Sequence, residues 1–468
     1  MNTKINYKNE QITPDKTVMG IRAYCRTDGF KLEVFNGQDG FLKYPGRIFE
    51  NFPQPEKDFL IDNLVYARTG TLPLVLNKGL AFNTRRPFLK KFIDWGIEKD
   101  LGRIADITKG SAARLAAKLK RRPARFISEP AINRLPNFKK TAEKGLLALS
   151  FGKESLLSYG LVKEIGLDFA VTTDLDEENY TRRSWRQRKL IFKKFQQKER
   201  KAIIGFRDNL DCIHFNKEFI KRPIGELENI NGMLAFALEL MPIAYHEGAK
   251  YIIFGNEKNL NHCYLSRENI KCYPSFDQTA AYTKKFNQIL EKLTGGRLEI
   301  ISLVEAIYNL AEVKILYSRY PWLLEYAMSC YPKEDSSGRW CLNCPMCALA
   351  FLYAAAVGGD PKKMGIGKNM FGKKEKNLYP IFSDKISGPY EKPKEAKEEQ
   401  LLAFLMAYRQ GFRGDLIELF KNKYLSEALK REKELRQKFF GVYKPVNLPK
   451  NFQEPILKIF NEELKILR

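Results

Sequence analysis

The pattern of apolar and polar positions changes abruptly at Lys144. Before it, residues 1 to about 140 carry short β-rich stretches at 20–24 and 30–35, then two segments with helical spacing at 88–99 and 110–120. The second segment runs into a basic tail, KLKRRPAR. From Lys144 onward, short apolar runs alternate with amphipathic ones: GLLALS with ESLLSYGLVKEIG, LDFAVTTD with the segment 182–201, and AIIGF with an apolar helix over 231–246. The strand KYIIFGN follows, ending at Asn256, then the helix FDQTAAYTKKFNQILEKL and the strand LEIISL. Apolar runs of this length bounded by turns are strands, and their alternation with helices predicts an α/β fold with a parallel sheet covered on both faces. The apolar stretch ILYSRYPWLLEYAM reads as helical, and ALAFLYAAAV as a further helix. At 391 the text becomes EKPKEAKEE, a charged connection, and the remainder reads as helical and Lys-rich. Three regions are therefore expected: an N-terminal α+β region over 1–140, an α/β domain over 141–390 and a helical tail over 391–468.

Composition adds bounds. A chain of 468 residues, 44% hydrophobic and 12% aromatic, can bury a core. The apolar run at 347–357 is too short to cross a bilayer, and the first residues, MNTKINYKNEQ, show no apolar leader. A cytoplasmic protein without membrane insertion is expected. The net charge of +25 attracts anionic partners, whether nucleotide, nucleic acid, phosphorylated metabolite or membrane surface, without choosing among them. The oligomeric state is not written in the sequence.

The junction Ser150-Phe151-Gly152-Lys153-Glu154-Ser155 lies where a strand ends and a helix begins. A helix start presents unpaired N–H groups and the positive end of its dipole, so phosphate binds there if a small residue lets the backbone come close. Gly152 allows that approach. Ser150 and Ser155 supply hydroxyls, Lys153 a cation, and Glu154 a carboxylate for a Mg²⁺ ion bridging the phosphates. Helix capping and a tight turn account for the same residues, and the Walker-type loop is excluded by its different spacing. The strand ends Thr172-Thr173-Asp174 and Gly255-Asn256-Glu257 fall where parallel sheets open their ligand crevice, which makes Thr173, Gly255 and Asn256 candidate nucleotide contacts. For 172–174 an ordinary strand exit is an equal explanation.

Four of the eight cysteines, Cys330, Cys341, Cys344 and Cys347, form C-x10-C-x2-C-x2-C. Four thiols at this density suit one tetrahedral ion, and a closed set of soft ligands makes that ion a structural Zn²⁺; an iron–sulfur cluster uses the same ligand count. Such spacing, without a leader, belongs to a reducing compartment.

The 150–155 segment resembles the PP-loop ATP pyrophosphatases, whose signature is Ser-Gly-Gly-x-Asp-Ser in an adenine-nucleotide alpha-hydrolase fold. Ser150, Gly152 and Ser155 match it, whereas Phe151 stands for a Gly and Glu154 for the Asp. With a late four-cysteine cluster the chain is similar to the 7-cyano-7-deazaguanine synthases. It is more similar to the UDP-N-acetylmuramoyl-L-alanyl-L-glutamate epimerase family, through Gly255-Asn256-Glu257, Ser329-Cys330, the run Trp340-Cys341-Leu342-Asn343-Cys344-Pro345-Met346-Cys347, and the segment LVYARTGTLPLVLNKGLAFNTRRP. The resemblance spans most of 60–385 and leaves the C-terminal tail aside.

That resemblance implies ATP and Mg²⁺ as cofactors and a UDP-sugar peptide as substrate. Lys153 and Glu154 would act at the phosphates. The terminal L-Glu carboxylate would be adenylated, with release of pyrophosphate, and Cα inverted to give D-Glu. Of the three histidines, His214, His246 and His262, the last follows the 255–257 loop and is the candidate base. Arginines at 182–188 could meet the phosphates of a UDP-sugar or of RNA, and a solvated helix face explains them as simply. An alternative is a PP-loop enzyme of 7-deazaguanine or tRNA base modification. A third reading, from another class, is a non-enzymatic zinc module that binds nucleic acid.

Overall fold

The computed structural model describes residues 17–34, 38–130, 135, 137–138, 143–177, 181–215, 220, 226–227, 229–330, 338–383 and 388–468. Phe35, expected to end the second strand, and the first sixteen residues lie outside these. Twelve strands occur among the described residues: β1 (Val18–Arg26), β2 (Gly29–Val34), β3 (Gln38–Lys43), β4 (Gly79–Phe82), β5 (Ala124–Arg125), β6 (Lys144–Ala148), β7 (Asp168–Asp174), β8 (Ile203–Asp208), β9 (Tyr251–Phe254), β10 (Tyr264–Leu265), β11 (Lys271–Cys272) and β12 (Glu299–Ser302). Ten of them form one sheet in the order β12-β9-β6-β7-β8-β3-β2-β1-β4-β5, and β10 and β11 pair separately.

The five strands β12-β9-β6-β7-β8 are all parallel. Neighbouring residues along them face two different apolar layers, as a buried parallel sheet requires. Leu147, Val171, Ile253 and Ile301 point into one layer, with the helices Lys153–Glu164, Arg182–Glu199, Asn309–Ser318 and Pro345–Ala356. Leu146, Ala170, Ile252 and Ile300 point into the other, with the helices Gln54–Thr69, Gly232–Glu247 and Ala280–Thr294. The N-terminal strands do not form a separate sheet. β3 runs antiparallel to β8 through Leu42 opposite Asp208 and Lys43 opposite Arg207, which joins an antiparallel β1-β2-β3 meander to the parallel array. The C-terminal helices share the first apolar layer, contributing Leu402, Phe404, Leu435 and Phe460.

Three local outcomes differ from the sequence pattern. Helix Gln54–Thr69 was not expected, because buried Glu56, Asp58, Asp62, Asn63 and Arg68 interrupt its apolar stripe. The charged connection at 391 is short: Pro393 precedes a helix, Lys394–Arg409, that takes in all of KEAKEE. The apolar stretch before Cys330 is one helix, Asn309–Ser318, followed by a 3-10 turn at Pro321–Tyr326, since proline at 321 has no N–H to continue the ladder.

Candidate functional site

Along the parallel array the chain visits β6, β7 and β8 in one direction, then crosses back to β9 and β12 on the other side of β6. The helices connecting β6 to β8 cover one face; those leading into β9 and β12 cover the opposite face. The order therefore reverses between β6 and β9, and it is beyond the carboxyl ends of strands at such a reversal that open parallel sheets take their ligands. The segment 149–155 leaves β6 at that point, and 255–257 leaves β9.

Leu149 still pairs with the neighbouring strand, donating to the Thr172 carbonyl at 2.8 Å. Ser150 is exposed, and Phe151 then takes a left-handed backbone at φ 63°. A bulky residue does so at a cost of about 1–2 kcal/mol. Burial of the ring against Phe192 and Phe195, at centroid distances of 5.3 and 5.4 Å, offsets that cost. The turn brings Ser150 Oγ to 3.3 Å of Ser155 Oγ, and Gly152 N donates to Ser150 Oγ at 3.4 Å. Gly152 is the N-cap, with Leu156 N reaching its carbonyl at 3.0 Å. The N–H groups of Lys153, Glu154 and Ser155 thus open the helix, where none has an intrahelical acceptor.

The 255–257 loop packs against this turn. A Cβ on Gly255 would stand 2.5 Å from the Cβ of Glu154, so only glycine permits the approach. Asn256 holds the loop through its carbonyl, which accepts from Ser302 Oγ at 2.8 Å. Lys153 is the centre of charge. It pairs with Glu154 and lies 3.2 Å from Glu312, which is fully buried. Burial pushes the Glu257 carboxyl up to about 7, against the pull of Lys153 and with a further push from Glu154. Burial likewise raises Glu312 well above the carboxylate range. Glu399, also fully buried, reaches in from the C-terminal helix and accepts from Asn259 Nδ2 at 2.7 Å and Leu310 N at 2.8 Å. One cation facing several carboxylates in low dielectric leaves room for further positive charge, supplied by protons or by a hard divalent ion with oxygen ligands.

The cysteine cluster forms as its spacing suggested. All four sulfurs lie within 4.8 Å of one another, with Cys330 to Cys344 at 3.8 Å, Cys341 to Cys347 at 3.7 Å and Cys344 to Cys347 at 3.5 Å. Metal–sulfur bonds of about 2.3 Å in a tetrahedron require sulfur separations of about 3.8 Å, so the donor set fits a zinc-sized ion. Cys344 caps the helix Pro345–Ala356, and hydrogen bonds from Cys330 and Cys347 hold its thiol low, as a thiolate ligand needs. Trp340 anchors this side by donating from Nε1 to the Met364 carbonyl at 2.6 Å.

His262 stacks on Tyr308, bonds its hydroxyl through Nε2 at 2.7 Å and faces Glu395 at 3.5 Å; desolvation lowers its pKa. No hydrogen bond ties it to 150–155 among the described residues. Thr173 is buried in β7 opposite Gly205, and Asp174 accepts from Asp176 N at 2.9 Å in a strand-exit turn. Of the arginines at 182–188, Arg182 and Arg186 are exposed, and Arg188 is buried. Glu257, Glu312 and Glu399 are the site residues that motif reading did not single out. Glu257 belongs to Gly255-Asn256-Glu257, whereas nothing in the local spacing marks Glu312 or Glu399. A cleft of about 470 Å³ lined by Arg86, Lys90, Phe126 and Ser128 includes none of these residues. No described helix is long and apolar enough to cross a membrane. No protein-family model matches this chain, and neither does any curated protein.

Proposed function

We propose that this protein is an ATP-dependent adenylating enzyme of the PP-loop type, acting on the terminal L-Glu carboxylate of UDP-MurNAc-L-Ala-L-Glu and inverting its Cα. The observation that carries this reading is the meeting of the 150–155 turn and the 255–257 loop around Lys153 at the reversal of strand order. Phosphate oxygens are received by the N–H groups of 153–155, the hydroxyls of Ser150 and Ser155, and Lys153. Glu154, the more open of the two carboxylates paired with Lys153, would hold the Mg²⁺ that offsets phosphate charge.

The substrate carboxylate oxygen attacks the α-phosphorus, and pyrophosphate leaves. Esterification removes the carboxylate charge that resists formation of a carbanion, so the Cα proton becomes removable by a base poised near neutral pH. Glu257, at about 7, is such a base. His262, bonded to Tyr308, is the second acid–base group that return of a proton to the opposite face requires. Water then releases the acyl group from AMP. Incubation with ATP, Mg²⁺ and UDP-MurNAc-L-Ala-L-Glu is expected to yield AMP and the D-Glu product; absence of both rejects the reading.

Exposed Arg182, Arg186, Lys189 and Lys193 on one helix favour a second reading, a PP-loop enzyme of 7-deazaguanine or tRNA base modification. RNA-stimulated AMP release with salt-sensitive tRNA binding would select it.

A further inference from the structure

The cysteine cluster and the phosphate turn are joined by two residues. Met328 N donates to the Phe151 carbonyl at 2.9 Å, which docks the segment before the cluster onto the turn. The next residue, Ser329, is half-buried and places its Oγ 3.5 Å from the point a Cβ on Gly152 would occupy. Ser150 Oγ lies 3.4 Å from that point, and a Glu154 carboxylate oxygen 3.0 Å. Three oxygens, two from the turn itself and one from far along the chain, thus lie within 3.5 Å of that point. The Ser329 hydroxyl has no hydrogen-bond partner among the described residues. The residue after it is Cys330, the first sulfur of the cluster.

We propose that Ser329 is a third hydroxyl of the phosphate cradle and that a metal ion on the four cysteines holds it there, so that metal occupancy sets affinity for the nucleotide phosphates. The proposal rests on the nucleotide reading above and adds a residue and a dependence to it. Its physical basis is the asymmetry of the two sides of the cluster. Cys341, Cys344 and Cys347 are anchored by Trp340 and by the buried helix Pro345–Ala356. Cys330 joins them through the Cys341 N–H at 3.4 Å and through sulfur contacts, which are weak hydrogen bonds without a metal. A metal–thiolate bond replaces those weak contacts with a rigid link, and the strap 328–330 then keeps both the Phe151 carbonyl and the Ser329 hydroxyl in register. A hydroxyl that bonds a charged phosphate contributes about tenfold or more to affinity.

The test uses the full chain loaded with Zn²⁺, with Mg²⁺·α,β-methylene-ATP as probe. Binding is measured by calorimetry, and amide hydrogen exchange is followed across 150–156. Stripping the metal is expected to speed exchange in 150–156 and weaken the probe at least tenfold, while exchange in helix Gly232–Glu247 stays slow. S329A should keep its zinc and its loop protection yet lose about tenfold in probe affinity, and S329T should restore it. Unchanged loop exchange on metal removal, or wild-type affinity in S329A, overturns the proposal. If the loaded protein binds no probe but loop exchange still follows the metal, the coupling stands and the nucleotide reading is the one that fails.

Discussion

At Gly255 two strand-end loops come as near as backbone allows. Its missing Cβ is the space that the Glu154 side chain occupies, at 2.5 Å from the ideal position, and the backbone carbon of Glu154 is only 3.4 Å away. Neither is the far end of a flexible chain, so a methyl group must push the loops apart. G255A is expected to cost about 1–3 kcal/mol of stability, read as a lower urea midpoint, and to weaken nucleotide-analogue binding. An unchanged midpoint and affinity would show that the loops do not pack as described. Phe151 balances differently. Glycine there would relieve about 1–2 kcal/mol of left-handed backbone, but loss of a fully buried Phe ring costs about 3–5 kcal/mol, so the ring wins. A phenylalanine at this position is therefore accommodated in the turn.

Between elements, the seam joining the two halves of the sheet is ionic. Arg68, at the end of helix Gln54–Thr69, is 2% exposed and bonds Asp208 at 2.9 Å, Asp211 at 2.8 Å and Glu239 at 2.6 Å. Asp208 ends β8, the strand that pairs with β3, and Glu239 belongs to helix Gly232–Glu247. Removing one side of a buried pair leaves charge without a partner, which costs about 3–5 kcal/mol. R68A should lose that much in a denaturant titration, and adding E239Q should recover part of it. A double-variant loss equal to the sum of the R68A and E239Q single losses would show that the pair is uncoupled. This helix was not legible in the sequence because its polar residues are satisfied by elements far along the chain. The strands β6, β7, β9 and β12 were legible, because each carries a continuous run of buried apolar residues.

For the molecule as a whole, buried carboxylates set the pH response. Burial, opposed in part by Arg85, lifts Asp62 to about 7; burial also lifts Glu257 to about 7, and Asp208 and Asp277 to about 6. Their ordinary values are 3.8 for Asp and 4.5 for Glu. Between the ordinary and folded values the folded state holds more protons than the unfolded chain, so stability falls as pH rises across that window. Glu164, held low by its hydrogen bond from Arg319, acts in the opposite sense, at pH below its ordinary 4.5. The urea midpoint of the metal-loaded protein should drop between about pH 5 and about pH 7.5, and E257Q should flatten that slope. A midpoint that rises over the same range would contradict the burial of these groups.

Local pattern determined the alternation of strands and helices, the strand-to-helix turn at 150–155 and the four cysteines, because periodicity, a small residue at a strand-to-helix junction and ligand spacing are all properties of neighbouring residues. Only tertiary structure decided which strands flank the reversal of order, that Glu257, Glu312 and Glu399 converge on Lys153, that β3 joins the sheet at β8, and that Ser329 sits near Gly152. Those arrangements depend on contacts between residues far apart in the chain, where burial sets the charge state and no spacing rule reports the partner.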